Sequence, residues 1–282
     1  MKIIFTFIVF IITSISIHSQ NKDLQIDYLK KGNTLFRSTY INTRQYPNIE
    51  LKKEQKRNLT KALECYKKYI NLNIEKEIPL KVYQNIGLIY NELKDDKKAI
   101  VYLKKVFNNT KSIYFLEIVS ENLMNIHFQN NEFNKALLYA NVYFKRTRFS
   151  SCGNGNAETA IYKAFTYGKI YYGLKEYKKA LEFLLPEIFY NGMVDNRKLV
   201  KLTTEVLFEK YKKKKVKKIF EKALNDIYLK KYKKTNYYYT KILNVTIPIA
   251  DLKDLVEKDN GKFKLLKKDL QKSEILKSIN SK

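Results

Sequence analysis

Tryptophan is absent from this chain of 282 residues, and cysteine, histidine, proline and glycine are scarce, at two, two, four and eight residues. Each shortage closes a class of reading. The histidines, His18 and His127, and the cysteines, Cys65 and Cys152, are too few and too scattered to give metal-ligand spacing. So few prolines and glycines leave few breaks in the chain, which favours long helices over turn-rich sheets. Without tryptophan, the core leans on 23 tyrosines and 16 phenylalanines. Arginine is also rare, with six residues against 49 lysines. Bidentate contacts to guanine or phosphate use arginine's planar fork, so a sequence-specific nucleic-acid binder is not expected. The net charge of +27 suits anionic surfaces instead. AT-rich codons favour lysine, isoleucine, asparagine and tyrosine alike, so the basicity has two readings, codon usage and selection.

Long apolar runs are missing too, except at the start. Met1-Lys2 is a short basic stretch, Ile3 to Ile12 is apolar apart from Thr6, and Thr13 to Gln20 turns small and polar. A spanning helix needs roughly 20 apolar residues, so residues 1–19 read as a secretory signal with cleavage after Ser19. The mature protein is expected to be exported, periplasmic or secreted, with no membrane span. Cys65 falls in a predicted helix and Cys152 in a distant loop; an oxidising compartment would allow them to pair, but nothing in the sequence shows that their separation is bridgeable.

A frame repeats along the chain. Tyr83, Ile86, Gly87 and Tyr90 are followed by Ala99, Leu103 and Val106; Ala164, Tyr167, Gly168 and Tyr171 are followed by Ala180 and Leu184. In both, the alanine comes twelve residues after the glycine. Small residues let two antiparallel helices approach, and the larger neighbours fill the crossing. A third copy keeps the register through Leu123, Met124, His127 and Ala136. A fourth, upstream, pairs Tyr28, Gly32 and Leu35 with Ala62, Tyr66 and Tyr69 across an eighteen-residue insertion around Pro47.

This frame resembles the tetratricopeptide repeat, a helix–turn–helix unit of about 34 residues. The resemblance implies an all-α fold: a right-handed α-solenoid of helix hairpins over residues 20–194, with units at 24–73, 80–113, 117–150 and 161–194. A divergent capping helix pair is expected over 195–234, formed by Leu199 to Tyr211 and Val216 to Leu229 with Lys212 to Lys215 as its turn. Over 235–282, Tyr237 to Ile249, stopped by Pro248, reads as an extended segment packed along the last helices, or as a strand for which the sequence shows no second strand to pair with; short helices follow at Asp251 to Lys258 and Phe263 to Ile279. The stretch from Arg146 to Ala160, with Ser150 to Asn156 at its centre, reads as a loop.

No catalytic constellation is found. His127 occupies a core position and reads as a packed side chain. Cys152, near Arg146 and Arg148, has no partner base and reads as a loop residue. Gly153-Asn154-Gly155 lacks the Lys-Ser/Thr pair of a phosphate loop. No cofactor or metal is expected, and the protein is not read as an enzyme.

The resemblance also implies a binding face. In tetratricopeptide proteins the first helices of successive repeats line a concave groove. Carried over through the register, the groove comprises Lys30 and Asn33, then Lys81, Gln84, Asn85 and Asn91. The later repeats supply Glu121, Asn122 and Asn125, then Tyr162, Phe165, Lys169 and Tyr172. Lysine and asparagine there are similar to the family's clamp for a peptide carboxylate, although the full clamp pattern is missing and Glu121 opposes an acidic ligand. The expected function is a non-catalytic scaffold holding a peptide or protein partner. Two alternatives stay open. One is a basic binder of anionic glycan or lipid, since Lys201 to Lys234 holds thirteen lysines against four acids. The other is a stand-alone sensory domain of a signalling system. The sequence carries no signature of an oligomeric state.

Overall fold

The computed structural model describes residues 20–39, 53–72, 77–146, 153–189, 194–232, 235–251 and 270–281. The expected signal segment, most of the insertion in the first repeat, Cys152 and all but the first residue of the helix expected at Asp251 to Lys258 lie outside them. The described residues are predominantly helical, as expected, and none of their helices is long and apolar enough to cross a membrane. Two compact units divide the chain, one up to Ile126 and one from His127.

In the first unit, α1 (20–39), α2 (Lys53–Asn71), α3 (Leu80–Glu92) and α4 (Asp96–Asn109) precede α5 (Ile113–Gln129), which runs into the second. Pro79 takes the N-cap of α3 with φ −55° and an extended ψ, a conformation its ring already favours. Asp95 caps α4 by accepting the Lys98 amide at 3.1 Å. Ala99, Leu103 and Val106, at four- and three-residue steps, put one face of α4 wholly out of solvent. That face meets α3 at Gly87, where an added Cβ would lie 2.8 Å from Leu103 Cγ. Tyr102 stacks between Tyr83 and Tyr90, with ring centroids at 6.2 and 5.7 Å. The same arrangement joins α1 to α2. A Cβ on Gly32 would lie 3.2 Å from the Tyr66 ring, and Ala62 is fully buried. The insertion therefore lengthens the connection without changing which residues cross.

In the second unit, α6 (Phe133–Arg146) is followed by α7 (Gly153–Gly173), α8 (Tyr177–Leu184) and a 3₁₀ turn (Leu185–Glu187). Then come α9 (Arg197–Lys210), α10 (Lys213–Asn225), strands β1 (Tyr228–Tyr232), β2 (Thr235–Ile242) and β3 (Val245–Asp251), and α11 (Glu274–Ser281). Gly168 repeats the contact of Gly87, its imagined Cβ reaching within 2.5 Å of Leu184. Tyr167 and Tyr171 stack on Phe183 at 4.5 and 5.6 Å.

Three hairpin turns share one geometry. Lys94, Asn131 and Lys175 adopt left-handed backbone, with φ of 64°, 58° and 60°. The residue after each donates its amide five residues back, Asp95 to Tyr90, Glu132 to His127 and Glu176 to Tyr171, at 2.8–2.9 Å. Each left-handed residue also donates three residues back, to Asn91, Phe128 and Tyr172. This Schellman pattern closes the first helix of each pair by satisfying two of its last carbonyls.

The structure corrects the expected organisation at six points. Tyr237 to Ile249 is not unpaired: β2 is the central strand of a three-stranded antiparallel sheet, with Tyr228 opposite Tyr239 and Ile242 opposite Val245. Pro248 does not stop it, because β3 is an edge strand and Pro248 sits beside the register shift at Tyr238/Tyr239. The helix expected to reach Leu229 stops at Asn225, and Tyr228 to Tyr232 forms β1. Asp251, expected to open a helix, ends β3. Lys213 to Lys215 belong to α10, so the turn narrows to Tyr211 and Lys212. Finally, α7 begins at Gly153, inside the expected loop. The sheet and α11 have a packing role: Ile242, Ile247, Ile275 and Ile279 are fully buried in one core with Val206, Leu207, Val216 and Phe220.

Candidate functional site

In the first unit, the expected groove residues of α1, α3 and α5 meet as pairs. The Tyr66 hydroxyl of α2 donates to Asn33 Oδ1 at 2.9 Å and accepts from Asn85 Nδ2 at 2.8 Å. This knot ties the first hairpin to α3, and burial holds the Tyr66 phenol well above its usual titration range. Lys81 Nζ donates to Gln84 Oε1 at 2.8 Å and reaches the Tyr114 hydroxyl at 3.5 Å, lying 5.3 Å from that ring's centroid. Ten residues on, Asn91 Nδ2 donates to Asn122 Oδ1 at 3.0 Å, and Asn122 donates in turn to the Ile118 carbonyl. Both links, Lys81–Tyr114 and Asn91–Asn122, run the same way along the chain, so α3 and α5 lie side by side and point in one direction.

Burial sorts these residues into two groups. Gln84 and Asn85, expected in the groove, are 0% and 2% exposed and serve the packing between helices. Gln84 Nε2, Asn85 Oδ1 and Ser120 Oγ are buried with no hydrogen-bond partner among the described residues. Lys30, Lys81 and Asn125 are exposed, and Tyr114, which the sequence reading did not select, is 57% exposed. Tyr114, Glu121 and Asn125 fall at steps of seven and four residues, which places them on one face of α5. Beyond Asn91, Glu92 is held above the usual carboxylate range by burial, opposed by Lys94.

The second unit holds the remaining residues. Lys169 Nζ lies 4.2 Å from the Phe128 ring centroid and 5.3 Å from that of Phe165. Burial lowers its pKa, and the charge of Lys198 lowers it further. Tyr162 packs against Phe144 and Tyr143, at 5.7 and 6.2 Å. Tyr172 lies against Tyr177, its phenol pushed up by burial and by the charges of Glu209 and Glu205. His127 is buried, as expected for a packed residue. It bonds Glu132 through Nδ1 at 2.5 Å and stacks on Tyr139. A second bond, from Lys135, joins His127's in keeping the Glu132 carboxyl below its usual range, with Lys135 the larger cause.

No protein-family model matches the chain, and no curated protein matches it. Among the described residues, no group of three or more His, Cys, Asp or Glu converges to hold a metal ion. Cys65 is a buried free thiol with a raised pKa, burial being the main cause, so thiolate chemistry is disfavoured there. What α3 and α5 offer outward is an ammonium, a phenol and a carboxamide, all able to hydrogen-bond a ligand.

Proposed function

We propose that the protein is an exported, non-catalytic scaffold of tetratricopeptide-like hairpins that holds a segment of a partner protein along its first helices. The observation that carries this reading is the side-by-side pairing of α3 and α5, which leaves Lys81, Tyr114 and Asn125 outward while Asn85 and Asn91 bond across helices to Tyr66 and Asn122. Such a strip offers a charge, an aromatic surface and an amide to an extended or helical peptide. The shared turn geometry at Lys94, Asn131 and Lys175 supports the repeat on which the reading depends.

The test begins with a photo-crosslinking residue at Asn125 in the exported protein, followed by identification and purification of the captured partner. The partner is then titrated against wild type and the Lys81→Glu/Asn125→Ala variant. Loss of about 2 kcal/mol from two contacts corresponds to a Kd weaker by roughly 30-fold. Equal Kd values for the two proteins remove this reading.

A further inference from the structure

We propose that the outward face of α10 docks the protein on an anionic lipid bilayer, a contact separate from the first-helix strip and independent of it. Val216, Phe220 and Ala223 are 0–1% exposed in the core of the second unit, which fixes the opposite side of α10 outward. Along that side Lys214, Lys218 and Lys222 recur every four residues, flanked by Lys213, Lys215 and Lys217. Glu221 is the single acid of the helix. Lys222 is paired with Asp226 at 2.6 Å, and Lys215 lies over the Tyr211 ring. Among the described residues, Lys213, Lys214, Lys217 and Lys218 have no carboxylate within ion-pair distance. On the neighbouring strand β2, which bonds α10 through Thr240 and the Ala223 carbonyl, Lys241 is exposed as well.

The chemistry of this face selects its occupant. Every cation of α10 is a lysine, so the face presents hydrated point charges on flexible stems and no guanidinium forks. Its outward arc carries no aromatic ring on which a base or sugar would stack. A fluid array of anionic headgroups rearranges to meet such charges, whereas a fixed acidic surface demands matched geometry. The apolar side of α10 is already committed to the core, so the contact is purely electrostatic and involves no insertion. The first turn adds a second sign of this purpose. Lys213, Lys214 and Lys215 stand at the positive end of the helix dipole, with no acid in that turn and no side-chain cap. Folding alone disfavours that choice.

The full chain is sedimented with vesicles of phosphatidylcholine and phosphatidylglycerol, or of phosphatidylcholine alone, at low and high salt. Binding only to the anionic vesicles, reversed by salt, is expected. Each lysine contributes roughly fivefold, so Lys214→Gln/Lys217→Gln/Lys218→Gln lowers partitioning by about 100-fold. The control Lys97→Gln/Lys104→Gln/Lys111→Gln, on exposed lysines of the first unit, keeps most of it. Lys213→Glu guards against misfolding, because it complements the helix dipole, raising thermal stability while weakening binding. Equal losses from the two triple variants overturn the assignment to α10. Tighter retention on immobilised polyglutamate than on vesicles of matched charge overturns the bilayer in favour of an acidic protein face. Lys81→Glu/Asn125→Ala retains vesicle binding, which separates this proposal from the partner-binding reading.

Discussion

Glycine at Gly32, Gly87 and Gly168 is required to different degrees, and the difference is measurable. Gly→Ala within a helix gains about 0.5–1 kcal/mol from backbone entropy, whereas overpacking costs about 1–3 kcal/mol. An added Cβ meets Leu184 at 2.5 Å from Gly168, Leu103 at 2.8 Å from Gly87 and Tyr66 at 3.2 Å from Gly32. Gly168→Ala is therefore expected to lose about 1–2 kcal/mol, Gly87→Ala somewhat less, and Gly32→Ala close to none, read by chemical denaturation. A reversed order would contradict the crossing geometry. The pH dependence of Glu187 is a second residue-scale effect. Burial raises its carboxyl above the usual range. A raised folded pKa gives stability that is present below the unfolded value and lost as pH rises through the folded one. Glu187→Gln is thus expected to stabilise the protein around neutral pH, with the gain vanishing in acid below the unfolded carboxyl's range; a gain that persists there would point to packing instead.

At the scale of elements, the hairpins at Gly87 and Gly168 were readable because each carries its own signals: a small residue at the crossing and an alanine twelve residues on. The turns hold one departure from ideal chemistry. Lys94 and Lys175 occupy left-handed positions that glycine fills at less cost, while Asn131 is already tolerated there. Lys94→Gly and Lys175→Gly are expected to raise stability by up to about 1 kcal/mol each, and Asn131→Gly by less. Thermal melts of the three variants decide this, and destabilisation by the lysine replacements would show that their side chains hold the turns. The sheet was harder to read. The aromatic and β-branched content of β2 was visible, but its hairpin turn is Leu243-Asn244, both at positive φ, where Asn-Gly is the usual signal. Its other partner, β1, continues the apolar spacing of α10 through Ile227 and Leu229, so the strand was mistaken for the end of a helix.

For the molecule as a whole, the two proposed contacts differ in their response to salt. A partner segment held by Lys81, Tyr114 and Asn125 draws on one charge, an aromatic surface and an amide, so its Kd shifts modestly with ionic strength. Vesicle binding through α10 rests on charge alone and falls steeply. The net charge of +27 makes this comparison necessary, because weak attraction to any polyanion is expected of the chain. Sequence by itself determined the helical class, the hairpin frame and the excess of lysine, since these follow from periodicity and composition, which are local. The tertiary structure decided which polar residues face outward. Gln84 and Asn85 occupy groove positions in the repeat frame, yet Gln84 is buried with its carbonyl oxygen bonded to Lys81, and Asn85 is buried against Tyr66 and Asn33. Tyr114 escaped notice because it lies between the expected units 80–113 and 117–150, whereas α5 starts at Ile113 and carries it alongside α3. Burial depends on the neighbour that arrives, and no spacing along one helix encodes that neighbour.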